Sequence, residues 1–170
     1  MNCGHRLAIS RWLFVLIPGV VLMGACASSA EEAAPSGRVE YFQPEGLHRN
    51  PAFSQAVTVD GPARMVYVGG QNAVSAEGAI VGIGDIVQQA AQVARNLRIA
   101  LQAGGARPEH VIQWNVYVVE GQALGPAFAE FQKIFAGEFP APPLVTVLYV
   151  AGLAHPGFLL EVSAIAAVPE

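Results

Sequence analysis

Near its end the chain reads Phe158-Leu-Leu-Glu-Val-Ser-Ala-Ile-Ala-Ala-Val168, an apolar run in which Glu161 is the only charged residue. The stretch before it, Leu144-Val-Thr-Val-Leu-Tyr-Val150, is apolar on both faces apart from two hydroxyl groups. Strands of this kind are normally buried on both faces of a sheet. Helices of the same chain can cover one face, and we expect the other face to need a partner subunit.

Two upstream segments have the periodicity of helices. The first begins at Ile86, follows Asp85 as a good N-cap, and stops at Gly104-Gly105. The second has Pro126 in its first turn, three phenylalanines on one stripe and Gly137 past its end. These two helices are therefore the expected cover for one face of the sheet.

The remaining β-prone segments complete a β-β-β-α-β-α-β-β order, which predicts an α+β domain with both helices on one face of a mixed sheet. The last two strands, Leu144 to Leu153 and Phe158 to Val168, are expected to form a hairpin through Ala154-His-Pro-Gly157. The other predicted strands are Val39–Gln43, Ala56–Asp60, one starting at Met65, and Val111–Val119.

The composition excludes several classes of protein. Of 170 residues, 53% are apolar and 13% are charged, whereas disordered chains have the opposite balance. Nine Lys and Arg residues against 13 Asp and Glu residues give a net charge of −4. Because no basic surplus is left to neutralise phosphates, a nucleic-acid partner is not expected.

The N-terminus has the features of an export signal. Arg6 and Arg11 precede a 14-residue apolar stretch, Trp12 to Ala25. This stretch is too short to span a membrane as a helix. Small residues follow it, as at a signal cleavage site. We predict a signal peptide at residues 1–26, a flexible linker at 27–38 and a folded domain at 39–170.

Two ways of processing this signal peptide remain open. Leu22-Met23-Gly24-Ala25-Cys26 resembles a bacterial lipobox, which predicts lipidation of Cys26 and a periplasmic or cell-surface protein anchored only by that lipid. The alternative is ordinary cleavage after Ala27 or Ala30. In both cases we expect the protein to be exported.

Few residues of the body suit metal or thiol chemistry. Cys3 and Cys26 are the only cysteines and both lie in the leader region. The body therefore has neither a disulfide nor a thiol nucleophile. Its histidines are scattered without ligand spacing, so no metal site is predicted.

Glu161 is the strongest candidate for a functional residue, and two interpretations remain open. A buried carboxylate needs a partner, so Glu161 either fixes a neighbouring group across an interface or holds and activates a water in a cleft. Similarly, Gly69-Gly70-Gln71 is either a tight strand exit or a pocket wall lined by backbone.

Four stretches together resemble the RidA/YjgF family of enamine and imine deaminases. They are Asn50-Pro-Ala-Phe-Ser-Gln-Ala56, Val68-Gly-Gly-Gln71, Pro142-Pro143 and Leu160-Glu-Val-Ser-Ala-Ile-Ala166. The resemblance implies a chorismate-mutase-like homotrimer with three clefts between subunits. It also implies small 2-imino or 2-enamino acids as substrates, an arginine that pairs with their carboxylate, a glutamate at Glu161 that positions water, and no cofactor or metal.

The chain departs from the family pattern at the polar positions of that cleft. The family's arginine falls on Val145, its tyrosine on Phe53, its serine on Gly69 and its usual helix asparagine on Phe128. A carboxylate substrate is therefore not expected. Three arginines are available as substitutes, although the sequence does not place them in the cleft: Arg64, Arg95 and Arg98.

These considerations predict a cleft for a small, largely uncharged molecule, with Glu161 orienting water if the protein is catalytic. A non-catalytic ligand-binding or chaperone-like module that uses the same cleft is the alternative. The residues predicted to line the cleft are Phe53, Gly70, Gln71, Val145, Tyr149 and Glu161.

Overall fold

Six strands and two helices follow one another in the predicted order in the computed structural model, which describes residues 36–170. The predicted signal peptide, the lipidation site at Cys26 and most of the linker lie outside these residues. The elements are β1 (Arg38–Phe42), β2 (Ala56–Asp60), β3 (Ala63–Gln71), α1 (Ile86–Ala103), β4 (Val111–Val119), α2 (Leu124–Ile134), β5 (Leu144–Val150) and β6 (Leu160–Pro169).

The strands form a two-stranded ribbon and a four-stranded sheet. β1 pairs with β2, and the larger sheet has the order β3-β6-β4-β5. Within it β4 and β5 are parallel, whereas β6 is antiparallel to both of its neighbours. The predicted α+β fold with a mixed sheet is confirmed.

The predicted hairpin between β5 and β6 is wrong, because β4 lies between these two strands. The end of β4 bonds to both sides: the Val119 N–H donates to Leu159 O over 2.9 Å and the Glu120 N–H donates to Val150 O over 3.0 Å. The crossover through α2 places β5 parallel to β4 on one side. The chain then passes across the end of β4 and returns as β6 on the other side.

Helix α1 begins and is anchored as its sequence predicts. The Asp85 carboxylate accepts hydrogen bonds from the backbone N–H groups of Val87 and Gln88, at 2.9 and 3.1 Å. Inside the helix, the buried Gln89 side chain donates to Gly157 O over 2.7 Å and accepts from the Leu159 N–H over 2.8 Å. This amide ties α1 to the connection between β5 and β6.

The helices cover one face of the four-stranded sheet. Alternate residues of β6 from Leu160 to Ala166 are buried beneath the helices, while Glu161 and its same-face neighbours point the other way. On that second face Tyr67 is 73% exposed and Leu148 is 51% exposed. A single chain therefore leaves apolar side chains of this face in contact with water, as the sequence predicts for a chain that needs a partner.

Within residues 36–170, none of the helices combines the length and the apolar character that crossing a membrane requires.

Candidate functional site

A cavity of about 190 Å³ lies between α2 and the helix side of the sheet. Phe53 and Val145, which the sequence predicted for one cleft, both line it, together with Phe128 of α2. Buried residues of the sheet, among them Trp114 and Val162, complete the lining. Among residues 36–170, every side chain that lines this cavity is aliphatic or aromatic. The cavity therefore offers a ligand almost no hydrogen-bonding group.

Hydrogen bonds hold the loop that carries Phe53 against the start of β5. The Ser54 hydroxyl donates to Pro142 O over 2.6 Å, and the Ser54 N–H donates to Pro143 O over 3.0 Å. From the other side, the Gln43 amide donates to Phe53 O over 2.6 Å. These bonds explain how Phe53 and Val145 reach the same cavity although they are distant in the sequence.

A second cavity of about 250 Å³ lies next to the first along α2. Phe128, Phe131 and Val145 line both cavities, and Gln132 adds a polar side chain to the second. The two cavities thus form one groove whose inner part is the more apolar.

Glu161 lies on the opposite face of the sheet, beside a bulge in β3. The register between β3 and β6 shifts between Val68 and Gln71, which leaves Gly69 and Gly70 out of regular pairing. The carboxylate of Glu161 lies so close to Gly70 that a Cβ atom there would overlap it. The absence of a side chain at Gly70 therefore leaves the space that the carboxylate occupies.

The structure divides the predicted site between two faces. Gly70 and Glu161 are together on the face away from the helices, and the Gln71 amide donates back to Gly69 O over 3.1 Å. Phe53 and Val145 are on the helix side, with the thickness of the sheet between the two groups. Within one described chain these residues cannot contact the same small molecule.

Tyr149 follows the alternation of β5 and shares the face of Val145 and Val147. It is 54% exposed and lies outside the lining of the 190 Å³ cavity. Its predicted place in a cleft between subunits stays a prediction, since the structure describes a single chain.

Sequence reasoning missed Asn72 and most of the α2 wall. Asn72 donates from Nδ2 to Glu161 Oε2 over 3.2 Å, and its position directly after the predicted glycine motif was the available signal. Leu124, Ala127, Phe128 and Phe131 line the cavity at positions i, i+3, i+4 and i+7 of one helix. That spacing was visible in the sequence as a helical stripe.

Residues 47–168 match the model of the family described as endoribonuclease L-PSP, which is also called the RidA/YjgF family. The chain belongs to this family. The match spans well over half of the chain and includes both walls of the divided site. Family membership, predicted from four short stretches, is confirmed.

Individual RidA-family proteins are similar over most of their length. Protein DfrA of Myxococcus xanthus is 32% identical over 115 residues, which are 67% of this chain and 83% of that protein. The 2-iminobutanoate/2-iminopropanoate deaminase of Rattus norvegicus is 29% identical over 115 residues, 68% of this chain and 79% of that protein. A Rid-family protein of unknown function from Yersinia pestis has a similar structure, with a TM-score of 0.67, 30% identity, and coverage of 76% of this chain and 98% of that one.

The three arginines named as substitutes for the RidA-family arginine are all held around α1. Arg64 donates to Gly104 O and Gly105 O, and Arg95 donates to the Gln92 side chain. Arg98 donates to the carboxylate of Glu138. Over residues 36–170, none of the three lines the nonpolar cavity.

Among the ion pairs of residues 36–170, the Arg98–Glu138 pair is the one in which a guanidinium donates to both oxygens of a carboxylate. Its guanidinium donates to both carboxylate oxygens of Glu138, at 2.6 and 2.8 Å, and lies 5.1 Å from the centre of the Phe135 ring. These hydrogen bonds lower the pKa of Glu138, and the charge of Arg98 adds to the effect. The pair fixes α1 to the segment that follows α2.

Proposed function

We propose that this RidA-family protein binds a small, largely uncharged molecule in clefts between subunits and hydrolyses a carbon–nitrogen double bond there. The observation that carries the proposal is the division of the predicted site between two faces of one sheet. Two copies of the chain can bring the faces together, since a subunit interface joins different surfaces of neighbouring copies in a cyclic oligomer.

Self-association is supported by the apolar side chains that a single chain leaves exposed. β5 is an edge strand of the sheet, and Val147, Leu148 and Tyr149 are each at least 38% exposed in it. Long, apolar edge strands are normally covered. A homotrimer, which is typical of the family, would cover β5 and create three clefts.

Glu161 is the only carboxylate among the six residues predicted for the cleft. Its carboxylate is held by Asn72 and supported against Gly70. In the proposed reaction a water adds to the imine carbon and gives up a proton to Glu161. Glu161 returns that proton to the nitrogen, which gives a carbinolamine. The proton of the new hydroxyl group then moves to the nitrogen as the carbon–nitrogen bond breaks, which leaves a carbonyl compound and ammonia.

The nonpolar wall supports an uncharged substrate. Phe53, Phe128 and Val145 supply no cation and no hydrogen-bond donor to a carboxylate. Burying a carboxylate without such partners costs several kcal/mol, on the order of the desolvation penalty of an ion. Imino acids such as those in the name of the rat relative are therefore poorer candidates than uncharged imines.

A non-catalytic module that binds the same ligand is the second candidate, favoured by the same nonpolar lining. Ammonia release separates the two functions. The purified protein should accelerate ammonia release from an uncharged imine over buffer, and Glu161→Gln should abolish the acceleration. If neither an uncharged imine nor 2-iminobutanoate is hydrolysed faster than in buffer, the catalytic function is excluded and ligand binding remains.

Mixed oligomers test whether the cleft lies between subunits. Glu161→Gln removes the carboxylate from one wall of the proposed cleft. The larger side chain of Val147→Trp fills part of the cavity in the other wall. If each cleft combines walls from two subunits, co-expression of the two inactive variants should restore about a quarter of the wild-type activity, because about a quarter of the clefts regain both walls. A mixture that stays inactive would show that Glu161 of one subunit and Val147 of another do not form one site, which contradicts the proposal.

Ribonuclease activity, which the family description names, is less well supported. The chain has more acidic than basic residues, 13 against nine. Binding to an RNA backbone depends on neutralising its phosphates with Lys and Arg. Incubation of a labelled RNA with the wild type and with Glu161→Gln would reveal such an activity.

Export and lipid anchoring are part of the proposal and rest on the N-terminal sequence alone. Cys26 is the acylated residue if the lipobox is used, and a stable anchor needs more than one acyl chain. Cys26→Ser should then release the protein from the membrane fraction of the cell envelope. Unchanged fractionation of the variant would favour ordinary cleavage after Ala27 or Ala30.

A further inference from the structure

The 190 Å³ cavity is closed at the bottom and open at one side. Ala127, Trp114 and Val162 form its buried floor, each less than 5% exposed. Phe128 and Val147, which also line it, are 37% and 38% exposed and form its rim. A ligand can therefore enter from the surface on which the proposed cleft would form.

We infer that this cavity is a specificity pocket for an apolar group of about the size of a benzene ring, carried by an uncharged ligand. Its place in a reaction rests on the proposed function, whereas its ability to bind does not depend on catalysis. An engineered cavity of about 150 Å³, lined by similar side chains in an unrelated protein, remains dry and binds benzene.

The chemistry of the wall sets the class of ligand. Aromatic side chains surround the pocket: Trp114 and Phe131 meet edge to face with ring centres 5.4 Å apart, and Phe128 forms part of the rim. Such surfaces favour stacking and edge contacts with another ring. An ionised group at the rim would lie against Phe53 and Val145 without a counter-charge and, in the proposed cleft, opposite the Glu161 carboxylate of a neighbouring copy.

A matched pair of probes tests this assignment. Benzyl alcohol and benzoate share one ring, but only benzoate is charged. We expect the purified wild-type protein to bind benzyl alcohol at least about ten times more tightly than benzoate, measured by saturation-transfer NMR and calorimetry. Equal binding of the two probes, or no binding of benzyl alcohol, would overturn the inference.

Variants of two alanines in α2 locate the binding site. Ala127 is 2% exposed and lines the cavity, so Ala127→Leu should fill it and weaken benzyl alcohol binding at least about tenfold. Ala129 is exposed on the same helix, so Ala129→Leu is the control and should bind like the wild type. Val147→Phe fills the pocket from β5 and provides the same test if Ala127→Leu fails to fold.

Three further outcomes have definite meanings. Benzyl alcohol binding by a wild-type protein that hydrolyses no imine supports the pocket and counts against catalysis only. Hydrolysis of an uncharged imine by a protein that does not bind benzyl alcohol overturns the pocket and leaves catalysis standing. Loss of subunit association in both filled variants means that a second copy of the chain occupies the cavity, which also overturns the inference.

Discussion

Asn72 and Glu161 are joined by a hydrogen bond of 3.2 Å between Nδ2 of the amide and Oε2 of the carboxylate. Asn72 is itself held from α1, because the Asn96 side chain donates to Asn72 O and Val74 O, both over 2.9 Å. The carboxylate on the sheet is thus connected to a helix on the other side of it. Its orientation depends on an amide that carries no charge.

Replacing Asn72 should disturb the carboxylate without removing it. Asn72→Leu deletes a donor to a charged group, a loss of about 1.5–3 kcal/mol or roughly 10- to 150-fold if the bond persists in the transition state. We expect kcat for an uncharged imine to fall by this factor while KM changes little, since the ligand pocket lies on the other wall. Steady-state kinetics give both constants, and a fall in kcat/KM through KM alone would show that Asn72 does not position Glu161.

Two adjacent glycines provide a matched test of the space that Glu161 needs. A Cβ at Gly70 would overlap the Glu161 carboxylate, whereas a Cβ at Gly69 would meet no atom within 4 Å. Gly70→Ala should therefore displace the carboxylate and abolish most hydrolysis, while Gly69→Ala should keep it. Because a glutamate side chain can rotate away, the unfolding free energy of both variants should stay within about 1 kcal/mol of the wild type. Equal activity of the two variants would contradict this account.

The sequence predicted most elements of the fold because their signals are local. Asp85 capped its helix as expected, and β2 and β4 have the predicted bounds. The order of strands across the sheet was not a local property. The short connection after β5 suggested that β5 and β6 form a hairpin. Instead β4 lies between them, and its end bonds to Val150 on one side and to Leu159 on the other. The crossover through α2 determines this arrangement.

The site was predicted as a set of residues but not as a geometry. The family motifs identified Phe53, Val145 and Glu161, and the structure places the first two in one cavity. A pattern of motifs does not say on which face of a sheet each residue lies. Strand pairing supplies that information: Glu161 is adjacent to the buried Leu160 and Val162 of β6, so it points away from the cavity.

The Arg98–Glu138 pair should make stability depend on pH in acid. Because the pKa of Glu138 is lower in the folded state than its ordinary value, the pair contributes fully above that ordinary value, about 4.3, and is lost as the pH falls through the folded-state pKa. Glu138→Gln should lower the unfolding free energy by about 1 kcal/mol at pH 7 and by less at pH 3. Urea unfolding at the two pH values measures this difference.

Glu130 provides the control for that experiment. It pairs with Lys133 at 3.6 Å through a single contact, and the Lys133 side chain is 77% exposed, so the pair contributes little. Glu130→Gln should change the unfolding free energy by less than about 0.5 kcal/mol at both pH values. If Glu138→Gln behaves in the same way, the bidentate contact and the nearby Phe135 ring do not strengthen the pair.

Val145→Arg should convert the cavity wall into one that accepts a carboxylate. Val145 lines both cavities of the groove, so a longer side chain there can reach ligand in either. A bidentate guanidinium–carboxylate contact is worth about 1.5–3 kcal/mol, which predicts roughly 10- to 150-fold tighter binding of benzoate or 2-iminobutanoate. Val145→Met adds length without charge and should leave benzoate binding weak.

The affinity of Val145→Arg for benzyl alcohol should fall relative to that of the wild type, because the guanidinium occupies apolar surface that the ring would contact. Calorimetry on both variants decides the matter: benzoate binding that is no tighter in Val145→Arg than in Val145→Met would mean that Val145 does not face the ligand.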